Sequence, residues 1–215
     1  MISSEAERSP YEFSYSLFDH NPEQWKKIEP HMPRLLHEAE ELLFPKGSEL
    51  TEPITNGFDG LLNTERLVGV PEGLPTIAYK NTADVFLSPD TTIVIVNKGD
   101  SVVGFSFAMP IDRMWPDRAE EAASTAYVYL TVRNKMYPGN RIANTINQAM
   151  MEELAKKGYS FVERDAKIGI EGHSYSQQLT DELSDSIVAT RKHNDWGLDD
   201  QLFIRADIQK YLDSR

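Results

Sequence analysis

Three cations, Arg133, Lys135 and Arg141, bracket a Pro138-Gly139 pair inside a thirty-residue stretch, Ala122 to Met151, that contains no Asp or Glu. At the acid content of the whole chain, 34 in 215 residues, about five carboxylates would fall there. The residues on either side read as a strand, Ala126 to Val132, and an amphipathic helix from about Asn140 to Lys157. In a strand-loop-helix unit the free N–H groups of the helix's first turn, and the positive end of its dipole, face the loop. A local basic window at that point suits a phosphate or pyrophosphate. The plainer alternative is a buried strand and helix with a chance acid-free run, and the coincidence of the run with the loop weighs against it.

Other phosphate-binding designs fit less well. A Walker loop needs GxxxxGK[ST], which does not occur, and a dinucleotide fingerprint needs GxGxxG at a tight turn, whereas this loop holds Gly139 alone. The chain has no cysteine, which excludes disulfides, thiolate metal sites and cysteine nucleophiles. His31 and His37 have no carboxylate or cysteine at ligand spacing, so no metal site is expected. No GxSxG elbow supports a serine hydrolase. His193, Asp195 and Trp196 lie together, and a solvated hairpin tip accounts for them.

The elements that would position the loop can be read in order. Residues 1–10 read as a disordered tail, and residues 11–215 as one domain. Phe13 to Phe18 alternates like a half-buried strand, and Asn21-Pro22-Glu23 opens a helix that Pro30 and Pro33 interrupt. About residues 45–81 form an elaborated connection rich in Gly, Pro, Thr and Asn. Thr91 to Asn97 and Ser101 to Met109 flank Lys98-Gly99-Asp100 and should form an antiparallel hairpin, with Gly104 marking a bulge or a close approach. Pro110 to Ser124 is irregular. The central helix ends with Glu152 and Glu153 placed to pair with Lys156 and Lys157, and with Gly158 at C′. A strand over 159–168, a helix over 174–184 and strands over 186–192 and 201–208 complete the chain, the last two joined by a turn at 195–199.

With this order of elements, the segments VVGFSFAMPI, AYVYLTV and YPGNRIANTINQAMMEELAKKG resemble the GCN5-related N-acetyltransferase (GNAT) superfamily. The resemblance covers about residues 91–208 and, more loosely, 11–44. It implies an α/β (α+β) fold: a mixed, mostly antiparallel twisted sheet with helices on both faces. In that family a loop between the fourth strand and the third helix, of pattern [Q/R]-x-x-G-x-[G/A], binds the coenzyme pyrophosphate. Here the corresponding run is Pro138-Gly139-Asn140-Arg141-Ile142-Ala143. Ala143 matches, Gly139 supplies a small residue, and Pro138 and Arg141 stand where Gln or Arg and Gly are usual. The backbone of Leu130, Thr131 and Val132 is expected to pair with the pantetheine arm.

The resemblance implies acetyl-CoA, or another acyl-CoA, as cosubstrate and acyl transfer to an amine by direct attack. Such a reaction needs a positioned neutral amine, a donor for the oxyanion and an acid for the thiolate. By resemblance the oxyanion donor is a backbone N–H near Val132 and the acid is Tyr175. For the base, Glu163 and Asp165 on the following strand, or Tyr127 and Tyr129 on the central one, remain open.

A net charge of −12 and a pI near 4.9 argue against nucleic-acid or anionic-membrane partners and favour a cationic small-molecule or peptide amine. A homodimer is compatible with the sequence. Without a long apolar run or a leader-like N-terminus, the expected location is cytoplasmic. Two other readings fit the same residues: a GNAT-fold binding or regulatory module, and a GNAT-like transferase with a different acyl donor.

Overall fold

The structure, a computed structural model, describes residues 13–32, 34–35, 82–134, 136–137, 141–168, 175–193 and 200–215. The expected N-terminal tail, the connection over 45–81, His37, the Pro138-Gly139-Asn140 run and the turn at 195–199 lie outside these residues.

Seven strands form one sheet in the order β1-β2-β3-β4-β5-β7-β6: β1 Ser14–Leu17, β2 Thr92–Lys98, β3 Ser101–Pro110, β4 Thr125–Arg133, β5 Phe161–Lys167, β6 Ile187–His193 and β7 Gln201–Asp207. Every neighbouring pair is antiparallel except β4 and β5. The helices are α1 Pro22–Ile28, α2 Thr82–Leu87, α3 Arg141–Lys156, α4 Tyr175–Leu183 and α5 Ile208–Asp213. Mixed pairing with helices on both faces is the architecture expected from the sequence.

Local chemistry sets most of these boundaries. Asn21 caps α1, its side chain accepting from the Glu23 amide at 2.8 Å, and Pro22 starts the helix where no N–H is needed. A 3₁₀ turn at Glu29–His31 carries Pro30, and helical geometry resumes at Met32. Gly99 turns the β2–β3 hairpin with φ 57°, and Gly158 ends α3 with φ 89°, both backbone states that favour glycine.

One face of the sheet packs under α1 and α2. Trp25, Ile28, Val85 and Phe86 meet Ile93, Ile95, Phe105 and Phe107 in a continuous apolar cluster. The other face packs under α3, α4 and α5, where Val94, Ala108 and Val128 meet Ala149, Met150, Leu179, Ile208 and Tyr211. Each such large side chain, once buried, contributes roughly 1.5–3 kcal/mol.

Several sequence expectations are corrected. Residues 82–87 form a helix that no sequence signal marked. The last strand stops at Asp207, because its carboxylate accepts from the Lys210 amide at 2.9 Å and caps α5, so Ile208 is helical. At the end of α3 the ion pair joins Glu153 to Lys156, three residues apart, whereas Lys157 donates to the Thr91 carbonyl at 2.8 Å and Glu152 accepts from Tyr15 at 3.2 Å. Pro110 to Ser124, expected to be irregular, contains short 3₁₀ turns at Ile111–Arg113 and Pro116–Glu121.

Candidate functional site

Among the described residues the one parallel pairing, β4 with β5, frames the candidate site. The β4–β5 ladder holds three residue pairs, Thr125 with Phe161, Ala126 with Val162 and Tyr127 with Glu163. Beyond Tyr127 the two strands part, although β4 runs on to Arg133 and stays paired with β3 through Arg133–Gly104. The β5-facing edge of β4 from Val128 to Arg133 therefore presents main-chain groups to a wedge. A bulge deepens the divergence: Phe107 opposes Leu130 and Ala108 opposes Val128, leaving Tyr129 as the extra residue. Tyr129 and Leu130 consequently lie on one face, both packed in the cluster under α1 and α2.

Gly104 sets the depth of the wedge's far end. A Cβ there would lie 2.8 Å from Ile142 Cγ2 and 2.9 Å from the Val132 carbonyl oxygen. The missing side chain thus lets the first turn of α3 settle onto β3 beside β4. Ile142 and Ala143 are buried in that turn and Ile142 packs with Val96, Val103 and Ile146. The loop from β4 begins with the buried Asn134, whose amide donates to Val103 O at 2.8 Å and whose side chain accepts from the Met136 amide at 2.9 Å. No acid stands in the first turn of α3. Of the residues expected to hold the coenzyme, Leu130, Thr131 and Val132 line the wedge, and Arg141, Ile142 and Ala143 open α3.

The wedge is bridged on the α3 face by a polar chain. Thr131 Oγ1 lies 2.8 Å from Ser106 Oγ and accepts from Arg164 Nη2 at 3.0 Å. Arg164 Nη1 donates to Asn147 Oδ1 at 3.1 Å, and Asn147 donates to Glu182 at 2.8 Å. Ser106, Asn147 and Arg164 of this bridge also line a small cleft with Val128, Val162 and Leu179.

On the opposite face, two clusters of titratable groups stand at the fork. Glu163, 1% exposed in its side chain, accepts from Arg118 at 2.7 and 2.9 Å and from Arg205 at 2.6 Å. Glu121 binds the same two guanidinium groups, and their hydrogen bonds, Arg118 first, hold its carboxyl down at about 2 despite desolvation. Arg118 is pushed further up by Glu163 and Glu121 and stays charged. This quartet ties the 3₁₀ turn at Pro116–Glu121 to β5 and β7.

The second cluster joins three strands. Tyr127 donates to Asp165 Oδ2 at 2.7 Å, and His193 Nε2 lies 2.7 Å from Asp165 Oδ1. The imidazole reaches from β6 across β7, and its side chain is 5% exposed. His193 is thus no part of a solvated tip, a correction that the sequence could not supply because the contact crosses an intervening strand. Burial, then the Asp165 charge, raises the Tyr127 phenol well above its usual range, and burial alone raises Tyr129. Both phenols stay protonated at neutral pH, and Tyr127 acts as a donor. Trp115 closes edge-on over Tyr127, ring centroids 4.8 Å apart.

Of the two residues expected to do chemistry, Glu163 sits at the fork, and Tyr175 is the first residue of α4. Arg118, Arg205, Arg164, Asn147 and His193 were not singled out as site residues by the sequence. Only the crowding of charge around β5, Glu163-Arg164-Asp165, hinted at them. Among the described residues no group of His, Asp and Glu side chains is arranged to hold a metal, and no helix is long and apolar enough to cross a membrane.

This seven-stranded sheet, with its parallel pair forking beside the start of α3, is a GNAT-like α/β fold by comparison with solved structures. The chain matches FeeM, an N-acyl amino acid synthase from uncultured soil microbes, with TM-score 0.54 and 8% identity over 94% of this chain and 93% of that one. It matches the aminoglycoside 6'-N-acetyltransferase from Enterococcus faecium with TM-score 0.53 and 14% identity over 91% and 97% of the two chains. A Desulfovibrio desulfuricans protein assigned to the GNAT family of acetyltransferases gives TM-score 0.52 and 10% identity over 92% and 99%. No protein-family model matches the sequence, and no curated protein does. The chain therefore has a GNAT-like fold.

Proposed function

We propose that the chain is an acyl-CoA-dependent N-acyltransferase, with acetyl-CoA the expected donor and an amine the acceptor. The observation that carries this reading is the parting of β4 from β5 beyond Tyr127, beside the start of α3. A pantetheine arm carries two amides and can add to the β5-facing edge of β4 as a strand would, through the main chain of Leu130, Thr131 and Val132. The run Pro138, Gly139, Asn140, Arg141, Ile142 and Ala143 then takes the pyrophosphate on helix N–H groups, with Arg141 donating to it.

In this reading the acyl carbonyl oxygen is held by a backbone N–H near Val132, where charge develops during attack. Tyr175 is assigned the proton donated to the departing thiolate. Glu163 is kept as a candidate for the base, and its carboxylate also holds Arg118 and Arg205 at the base of the fork. The acidic chain favours a cationic acceptor, a small amine or a peptide, and disfavours nucleic acid.

Calorimetric titration with acetyl-CoA and with free CoA tests the proposal. Saturable binding of both is expected, weakened about ten- to a hundredfold by Arg141→Glu, as suits loss of a charge-assisted hydrogen bond. Absence of heat and of thermal stabilisation at large excess of either would leave the fold serving as a binding module.

A further inference from the structure

We propose that Arg164 is a positioning residue for the coenzyme: acting through Thr131 and Ser106, it fixes the main chain of β4 that pairs with the pantetheine arm. The inference rests on the acyltransferase reading above and goes beyond it, because that reading asks for a β4 edge and names nothing that holds the edge in shape.

Between Val128 and Thr131 the ladders on both sides of β4 are incomplete. On the β5 side, pairing has ended at Tyr127 with Glu163. On the β3 side the register shifts between Phe107 and Ala108, and Tyr129 is the extra residue of the bulge. Side chains supply what the ladders do not. From β3, the buried Ser106 donates through Oγ to the Leu130 carbonyl at 2.8 Å. From β5, the buried Arg164, next after the last paired residue, reaches along the wedge to Thr131.

The direction of each hydrogen bond is fixed by the groups that make it. A guanidinium only donates, so Thr131 Oγ1 accepts from Arg164 Nη2 at 3.0 Å. Ser106 gives its O–H to Leu130, so at the 2.8 Å contact between the two hydroxyls Thr131 is the donor. The chain therefore runs from Arg164 to Thr131, to Ser106, to the Leu130 carbonyl, each group donating to the next. It starts from a charge, and each bond polarises the one after it. Arg164 is aimed in turn from α3, where Nη1 donates to Asn147 Oδ1 at 3.1 Å and Asn147 donates to Glu182 at 2.8 Å. Arginine suits this place because its planar fork serves Thr131 and Asn147 from separate nitrogens, whereas lysine has a single one. Holding Leu130 and Thr131 in shape before the arm arrives removes an ordering cost from binding.

The test titrates the full chain with CoA, in native form and as Ser106→Ala, Thr131→Val and Arg164→Lys. Ser106→Ala is the mildest, because it removes the last link and alters neither β4 nor Arg164. Calorimetry should show affinity falling about 3–10-fold in Ser106→Ala and about 10–100-fold in Thr131→Val and Arg164→Lys. Thr131→Ser keeps the hydroxyl and should recover most of the loss. Ser106→Ala combined with Thr131→Val should bind no more weakly than Thr131→Val alone, since both changes cut one chain. Amide hydrogen exchange at saturating CoA locates the effect: the start of α3 should gain native protection in every variant, and residues 128–133 less than native. Native affinity in Ser106→Ala and Thr131→Val, additive losses in the double variant, or equal loss of protection at α3 and β4 would overturn the assignment while leaving the transferase reading intact. If CoA binds the native protein without protecting residues 128–133, the β4 pairing and this assignment fall together. Absence of CoA binding by the native protein would overturn the transferase reading as well.

Discussion

Gly104→Ala should damage fold and site together. The added Cβ would lie 2.8 Å from Ile142 Cγ2, 2.9 Å from Val132 O and 3.2 Å from Ile146 Cδ1. Ile146 Cδ1 is the end of a flexible side chain and can rotate away. The other two cannot: Val132 O is main chain in a paired strand, and Ile142 Cγ2 sits on a β-branched carbon with one favoured rotamer in a helix. Relief requires α3's first turn to lift from β3, or β4 to shift. Overpacking of this kind costs about 1–3 kcal/mol. With a urea m-value of about 2 kcal/mol/M, the midpoint falls by about 0.5–1.5 M at unchanged m. Because the displaced turn carries Ile142 and Ala143, acetyl-CoA affinity should fall beyond what partial unfolding explains, measured calorimetrically at low temperature where the variant is folded. A native midpoint with native affinity would show that the close approach of strand and helix is not what shapes the site.

Other perturbations have equally definite outcomes. Glu163→Gln replaces a buried carboxylate by a neutral amide while Glu121 still pairs both guanidinium groups, and urea titration should show about 1–3 kcal/mol of lost stability. Glu121 has its folded pKa depressed from 4.5 to about 2, so the unfolded chain binds the extra proton between those values. Its contribution is full above about pH 4.5 and is lost as pH falls toward 2; thermal melts across that range should be flatter for Glu121→Gln than for the native protein. Asp207→Ala removes the α5 cap and should cost about 0.5–2 kcal/mol, with no change in acetyl-CoA affinity.

The sequence exposed those parts of the molecule that local chemistry decides. Asn21-Pro22, Lys98-Gly99-Asp100 and Gly158 each name a boundary because capping and positive φ are properties of a few adjacent residues. Gly104 was legible as a close approach, although not what approaches it. The helix at Thr82–Leu87 was not legible: one and a half turns are too short to show a period, and its place depends on Phe86 entering the cluster around Trp25 and Phe105. The strand of α5's first residue went astray because Ile208 continues the alternation of β7, and only the Asp207 cap ends it. The fork is a three-pair parallel ladder between distant segments, which no local pattern encodes. His193 shows the limit most clearly, since its partner Asp165 is 28 positions away and reached across β7.

Amide hydrogen exchange with and without CoA reads directly whether a donor adds to the β5-facing edge of β4. New protection is expected at residues 128–133 and at the start of α3, with the edge strand β6 unchanged at residues 187–191. No added protection along β4, or protection confined to another surface, would contradict it.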